Sequence, residues 1–244
     1  MTRPSPLNLD IDLTEAARLY AGTGFAAVNA VLAAPFAERL YRAGLAFEDW
    51  SLVTVIDGQH REFVSAEMDR LDSSRRVAFD ALVAREAQAG FCYLYDQLNL
   101  YERGRRGALS DPVLAEAATL IESDTFIALG RQLTGDPAIR FADCQLTRYR
   151  PGHFLTAHDD FAQGKDRSAA FVLNLARDWC ADFGGVLQLL GEEGDVRAGL
   201  TPKFNRLCVF KVPQPHAVSI VAPYAPGPRL AITGWFRRDA APAL

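Results

Sequence analysis

FADCQLTRY (residues 141–149) opens a series of short runs whose reading decides the fold: AAFVLNLA (169–176), GGVLQLL (184–190), RLCVFKV (206–212), HAVSIV (216–221) and RLAITGWF (229–236). Each is rich in β-branched and aromatic residues, and clusters of Gly, Pro, Asp and Lys separate them. Parallel neighbours would need helical crossovers between the runs, and no helical pattern fills the gaps. Six or more short strands therefore predict an antiparallel sandwich or jelly roll from about residue 137 to 240.

Upstream the period changes. From about Thr14 to Gly135 the pattern is largely helical, beginning at Thr14-Glu15-Ala16-Ala17-Arg18-Leu19-Tyr20 with Gly22 as a stop signal. Pro35 suits the first position of a second helix through Phe36, Leu40 and Tyr41, with Gly44 ending it. Asp72 caps a longer helix in which Val77, Leu82 and Val83 form the apolar stripe, and Gly90 closes it. A further helix is expected between Ile121 and Leu133, and strands at 50–56 and 91–95. The expected architecture is α+β: a double-stranded β-helix, or jelly roll, with N-terminal helices packed on one face. Residues 1–244 are read as a single domain, with 1–136 a mainly helical support that includes early strands and 137–240 the jelly-roll core.

Composition narrows the function. The 244 residues are 49% hydrophobic and 23% charged, enough apolar material for a substantial core. A formal charge of −4 with scattered basic residues provides no cationic field for direct nucleic-acid or membrane binding. The opening MTRPSPLNLDIDL lacks the continuous apolar stretch of a signal peptide, and no run is long enough to span a bilayer, so a cytoplasmic location is expected. Cys92, Cys144, Cys180 and Cys208 form no CxxC pair and are expected to be reduced and buried.

The chemical signal begins in YRPGHFLTAHDD (149–160). On an extended strand residues two apart share a face, so His158 and Asp160 can offer an imidazole and a carboxylate to one ion. Alone, an HxD pair arises often by chance. His216, in PQPHAV, lies between two strands, and a jelly roll can bring it to the first pair. Two histidines and a carboxylate form a facial triad with open positions, which suits iron(II), whereas structural zinc closes its site with four protein ligands. Thirteen residues after His216 comes Arg229, in phase with Ala231 and Thr233. It is either an edge arginine in solvent or an inward cation for a carboxylate, with the Thr233 hydroxyl beside it; the order HxD, His, Arg favours the second.

Five collinear blocks, YRPGHFLTAHDD, FVLNLARDW, GGVLQLL, PKFNRLCVFKVPQPHAV and RLAITGWF, resemble Fe(II)/2-oxoglutarate dioxygenases of the prolyl-hydroxylase-like branch. The resemblance is nearest to bacterial relatives of the ribosomal-protein prolyl hydroxylases. It implies iron held by His158, Asp160 and His216, and 2-oxoglutarate held by Arg229, with Tyr149 assisting. Trp235 matches a tryptophan near the substrate proline. Asn174 either contacts the cosubstrate or satisfies the backbone. Where some relatives carry a second tyrosine, Leu173 is read at the matching position. Dioxygen is the implied oxidant, with ascorbate among accessory factors.

The implied reaction is hydroxylation of a prolyl residue in a protein or peptide, such as a ribosomal or translation component, releasing succinate and CO2. The alternatives are hydroxylation of a free amino acid or small metabolite, another oxidative outcome such as demethylation or desaturation, a cupin-like binding module that holds a metal without turnover, and a structural protein with a degenerate site. Halogenation is disfavoured because Asp160 occupies the position a chloride would need. An inward Arg229 separates an oxygenase from a binding module. Four features are set aside: His153 as a surface or rim histidine, His60 in a turn, the Arg103-Gly104-Arg105-Arg106-Gly107 cluster as a solvated loop or a lid, and Gly184-Gly185 as a tight turn or close packing rather than a phosphate cradle.

Overall fold

The computed structural model describes residues 5–241; the first four residues of the opening segment lie outside them. In chain order the elements are α1 (Thr14–Thr23), β1 (Phe25–Asn29), α2 (Ala34–Ala46), β2 (Ser51–Ile56), β3 (Gln59–Val64), a single turn α3 (Ser65–Met68), α4 (Ser73–Ala89), β4 (Tyr93–Leu98), α5 (Leu100–Arg105), α6 (Pro112–Glu122) and α7 (Asp124–Thr134). The second half carries β5 (Phe141–Tyr149), β6 (Phe154–His158), β7 (Arg167–Asn174), β8 (Leu187–Leu190), β9 (Val196–Leu200), β10 (Arg206–Lys211), β11 (His216–Val218) and β12 (Arg229–Arg237).

All pairings are antiparallel, in the order β1-β10-β7-β12-β5-β4-β6-β11-β8-β9, with the β2–β3 hairpin attached through β4. This sheet curls into the jelly roll. Strands alternate their faces, and the burial follows: Leu146, Phe171, Leu173, Leu207, Val209, Leu230 and Ile232 face a large core shared with α2, α6 and α7. Ala170, Val172, Cys208, Phe210 and Ala231 face the interior, against Leu187 and Leu189 of β8. The helices thus cover one face, and the interior of the roll is left for a site.

Several boundaries differ from those read in the sequence. Gly22 does not stop α1; Gly24 does, in the left-handed conformation, with its N–H on the Tyr20 carbonyl. Gly44 lies inside α2, where a Cβ would meet Leu230 and Leu146 at ordinary contact distance, and it does not end the helix. The helix expected between Ile121 and Leu133 is found as α7, which begins at Asp124 because Ser123 leaves the helical region and its hydroxyl accepts from the Phe126 N–H; α6 before it went unread. Asp72 caps α4 as expected, accepting from the Arg75 N–H. Strands β1 and β3 went unread, and because β1 and β4 join the second-half strands in one sheet, residue 136 is no boundary within it. Of the four free cysteines three are buried, but Cys180 is exposed, in the stretch before the turn at Ala181–Phe183. Among the described residues no helix is long and apolar enough to cross a membrane.

Candidate metal centre and cosubstrate cavity

His158 ends β6 and His216 begins β11, and the two are paired across the strands. This register, rather than any local motif, brings residues 58 positions apart into ring contact, with centroids 4.1 Å apart. Nδ1 of His158 lies 3.0 Å from the Thr156 carbonyl and Nδ1 of His216 lies 2.7 Å from the Gln214 carbonyl. A carbonyl only accepts, so both Nδ1 atoms carry the proton and both Nε2 lone pairs face the same space.

Asp160 reaches that space by a different route from the one expected. β6 stops at His158, and Asp160 takes a left-handed backbone conformation with φ 63°, so the pair does not share a strand face. The turn aims the carboxylate back: Oδ1 is 3.4 Å from His158 Nε2 and Oδ2 is 3.5 Å from His216 Nε2. Ligand atoms about 2.1 Å from an ion are separated by about 3.0–3.4 Å at right-angle to tetrahedral bond angles, so the three donors fit one cation. They form a cluster of three, with every ligand atom within 4.8 Å of the others.

Electrostatics prepares the donors. Burial, aided by the neighbouring His158, pushes His216 down to about 4, keeping it neutral and ready to ligate at neutral pH. Burial pushes the Asp160 carboxyl up, but the His158 and His216 imidazoles and the Trp235 indole beside it outweigh that and hold the acid below its usual range. That indole N–H lies beside the carboxylate without meeting hydrogen-bond geometry.

The donors open on a cavity of about 290 Å³. Arg229 forms its inner end, 1% exposed, with its guanidinium 5.0 Å from the centre of the Tyr149 ring and Nε without a partner. Among the described residues no carboxylate pairs with it. Burial lowers its pKa, while Tyr149 and Cys208 oppose that. An unpaired buried cation is costly unless an anion meets it, so the donor set and this guanidinium together fit a metal chelated by a dicarboxylate.

Gly184 and Gly185 are both at positive φ, and Gly185 makes room for Arg229. A Cβ on Gly184 would lie 1.9 Å from the Ile220 carbonyl oxygen, and one on Gly185 would lie 2.9 Å from Arg229 Cδ. The close-packing reading of this pair is therefore the observed one.

Thr233 and Trp235 line the same cavity. Asn174 does not: its amide N–H groups go to the Val172 and Arg206 carbonyls, which is the backbone-satisfying reading of the two. Leu173 is corrected as well. It faces the helical core, and the cavity face of β7 carries Ala170 and Val172, so any missing tyrosine is missing from that face.

His153 is buried rather than at the surface, and it borders a second cavity with Arg150 and Phe154. His60 lies on β3, exposed, with Nδ1 2.7 Å from the Tyr93 hydroxyl. Arg103 and Arg105 end α5 rather than sit in a loop, and Arg105 donates to the Tyr101 hydroxyl.

Two sets of residues went unread. Phe91, Tyr93 and Tyr95 alternate along one face and build an aromatic wall, with Phe91 5.2 Å from His158 and Tyr95 stacked on Tyr149 at 5.0 Å. Their period of two was visible, but nothing in the sequence tied that strand to the site. Arg167 donates to the Asp160 carbonyl at 2.8 Å and lies 3.7 Å over the Trp235 ring. Strict alternation would turn it with Ala169 toward the helices. A bulge prevents this: Phe236 pairs with Ala169 and Arg237 with Arg167, leaving Ser168 as the extra residue.

Residues 144–237 match the model of the 2OG-Fe(II) oxygenase superfamily. Over 101 residues the chain is 34% identical to prolyl 3-hydroxylase OGFOD1 of Mus musculus, covering 38% of this chain and 18% of that protein. The chain spans less than a fifth of the length of the curated relatives it matches, which are 18–19% covered. The solved prolyl-4-hydroxylase of Pseudomonas putida superposes with a TM-score of 0.57 at 21% identity, over 94% of this chain and 100% of that one. A Trichoplax adhaerens prolyl hydroxylase, solved with a hypoxia inducible factor peptide, gives 0.63 at 18% identity, over 93% and 89%. At these identities the likeness shows the jelly-roll fold. The family match and the OGFOD1 relatives bear out the resemblance to Fe(II)/2-oxoglutarate dioxygenases of the prolyl-hydroxylase-like branch.

Proposed function

We propose that this chain, which carries the 2OG-Fe(II) oxygenase signature across residues 144–237, hydroxylates a prolyl residue of a protein or peptide at the expense of 2-oxoglutarate. The observation that carries the reading is the buried, unpaired Arg229 in the same cavity as the His158, Asp160 and His216 donors. A module that only held a metal has no need of that cation.

Iron(II) chelated by 2-oxoglutarate supplies the activation of dioxygen, one oxygen atom entering a C–H bond and the other leaving in succinate after loss of CO2. The side chains supply everything else. His158 and His216 present Nε2 because their Nδ1 protons are held by main-chain carbonyls. Asp160 provides the anionic donor. Arg229 receives the distal carboxylate of the cosubstrate, with Tyr149 packed along it and Thr233 on the same strand face. Trp235 and the Phe91, Tyr93 and Tyr95 wall pack the substrate ring and exclude water from the reacting bond.

A prolyl side chain is supported by the relatives named prolyl hydroxylases. A polypeptide substrate is supported by exposed Phe91 beside His158 and exposed Phe161 next to Asp160. A ribosomal or translation protein is the substrate to try first. The test is to incubate iron-loaded protein and 2-oxoglutarate with proline-containing peptides from such proteins, following succinate and peptide products heavier by one oxygen. Coupled products are expected from the wild type and none from His158→Ala. Substrate-dependent succinate at the wild-type rate from His158→Ala would overturn the assignment.

A further inference from the structure

The left-handed turn at Asp160 raises a question about what maintains it. A non-glycine residue at positive φ is held there by its surroundings, and such residues gather at functional sites. Asp160 is also the one donor of the three that lies beyond the end of its strand. The histidines are fixed by cross-strand pairing and by their own Nδ1 bonds. Asp160 is the second residue of the connection 159–166 that leads to β7, and Phe161 after it is 73% exposed.

We propose that Arg167 is a positioning residue for the metal site, its guanidinium pinning the Asp160 main chain in the conformation that returns the carboxylate to the two histidines. The inference rests on the metal-site reading above. Four observations carry it. Arg167 Nη1 donates to the Asp160 carbonyl oxygen at 2.8 Å, so the contact acts on the backbone whose conformation is at issue. The same Nη1 is 3.8 Å from Asp160 Oδ1, so charge attraction favours the same rotamer. The guanidinium is itself immobilised at 3.7 Å over the Trp235 ring, and the indole N–H of that ring lies beside the same carboxylate. Finally, the bulge at Ser168 is what turns Arg167 inward. Planar stacking and directed donation from one group require arginine rather than lysine.

Arg167 also lines the cavity, so turnover alone would not distinguish a role toward Asp160 from contact with the prime substrate. The experiment therefore uses metal binding to the full chain with neither substrate present. Chelator-treated wild type, Arg167→Met, Arg167→Lys and His158→Ala are titrated with Co(II) by calorimetry and by the visible absorption of the bound ion, and each metal-free protein is melted. Arg167→Met keeps an apolar stem over Trp235 and removes the donors. A weakening of about 10–100-fold in Co(II) affinity is expected, the range typical of groups that orient metal ligands, with an altered Co(II) spectrum and a metal-free melting temperature close to wild type. Arg167→Lys, which retains one donor without the planar stack, should fall between the two.

Wild-type affinity and spectrum in a folded Arg167→Met protein would overturn the inference while leaving the metal site intact. Should that variant fail to fold, Arg167→Lys decides: affinity and spectrum equal to wild type overturn the inference. Failure of wild type to bind Co(II), or binding indifferent to His158→Ala, would overturn the metal-site reading and the inference with it.

Discussion

A guanidinium buried without a counter-charge is held at a cost that only a ligand relieves, and Arg229 shows what holds it. Replacing it with Gln keeps a donor but removes the charge. Anaerobic titration of the iron-loaded protein with 2-oxoglutarate, read by the charge-transfer band, should show weakening of about 2–4 kcal/mol, the scale of a charge-assisted bidentate contact. Metal affinity should hardly change. Gly185→Ala tests the same contact from beneath, because the added methyl lies 2.9 Å from Arg229 Cδ and the residue sits at φ 62°. The expected result is at least a tenfold loss of cosubstrate affinity, and an unchanged titration would show that Arg229 tolerates the displacement. His153 gives a pH prediction. Burial lowers it from 6.5 to about 4, with Asp96 opposing, so below pH 6.5 the unfolded chain binds a proton that the folded one refuses. Stability is then full above pH 6.5 and falls as pH drops toward 4. Denaturant unfolding at pH 7.5 and 5.0 should show the wild type losing roughly 2 kcal/mol more than His153→Gln; equal losses would contradict this origin.

At the scale of single elements, what could be read in advance was what local chemistry controls. Asp72 as the cap of α4 is such a case, and Asp72→Ala should cost about 1 kcal/mol in denaturant unfolding, an expectation contradicted by an unchanged midpoint. The strands carrying His158, His216 and Arg229 were legible because alternation and turn residues mark them regardless of context. Alternation also placed Arg229, Ala231 and Thr233 on one face, where they are found, Arg229 and Thr233 lining the cavity and Ala231 packed in the interior cluster beside it. It failed where the ladder is irregular. Asp160 lies past the end of β6 in a left-handed turn, and the bulge at Ser168 reverses the face of Arg167, neither of which has a local sequence signature. Helix α7 was foreseen but with its start set early, because Ser123 ends α6 and at once caps α7, so the two helices abut with a single residue between them. The aromatic wall belongs to a strand that was partly foreseen, but its neighbours β5 and β6 follow it by more than forty residues, and pairing at that distance is a property of the fold.

For the whole molecule the question is whether the helical layer and the roll are one cooperative unit. Phe236 of β12 is fully buried against Phe171 at 5.0 Å and Phe126 of α7 at 5.4 Å, while a Cβ on Gly130 of α7 would fall 2.5 Å from its ring. The opposite face of the same strand presents Arg229, Thr233 and Trp235 to the cavity. One strand therefore carries both the helix-packing seam and the site. Phe236→Ala removes the ring from the seam at a cost of about 3–5 kcal/mol. At roughly 2–4 °C per kcal/mol for a chain of this size, the melting temperature should fall by about 6–20 °C. If the strand couples the layers, calorimetry will show a single transition in wild type and variant, and saturating metal with 2-oxoglutarate will raise the whole of it by mass action. Two transitions, only one of them raised by ligand, would mean that the helices fold independently of the roll they cover.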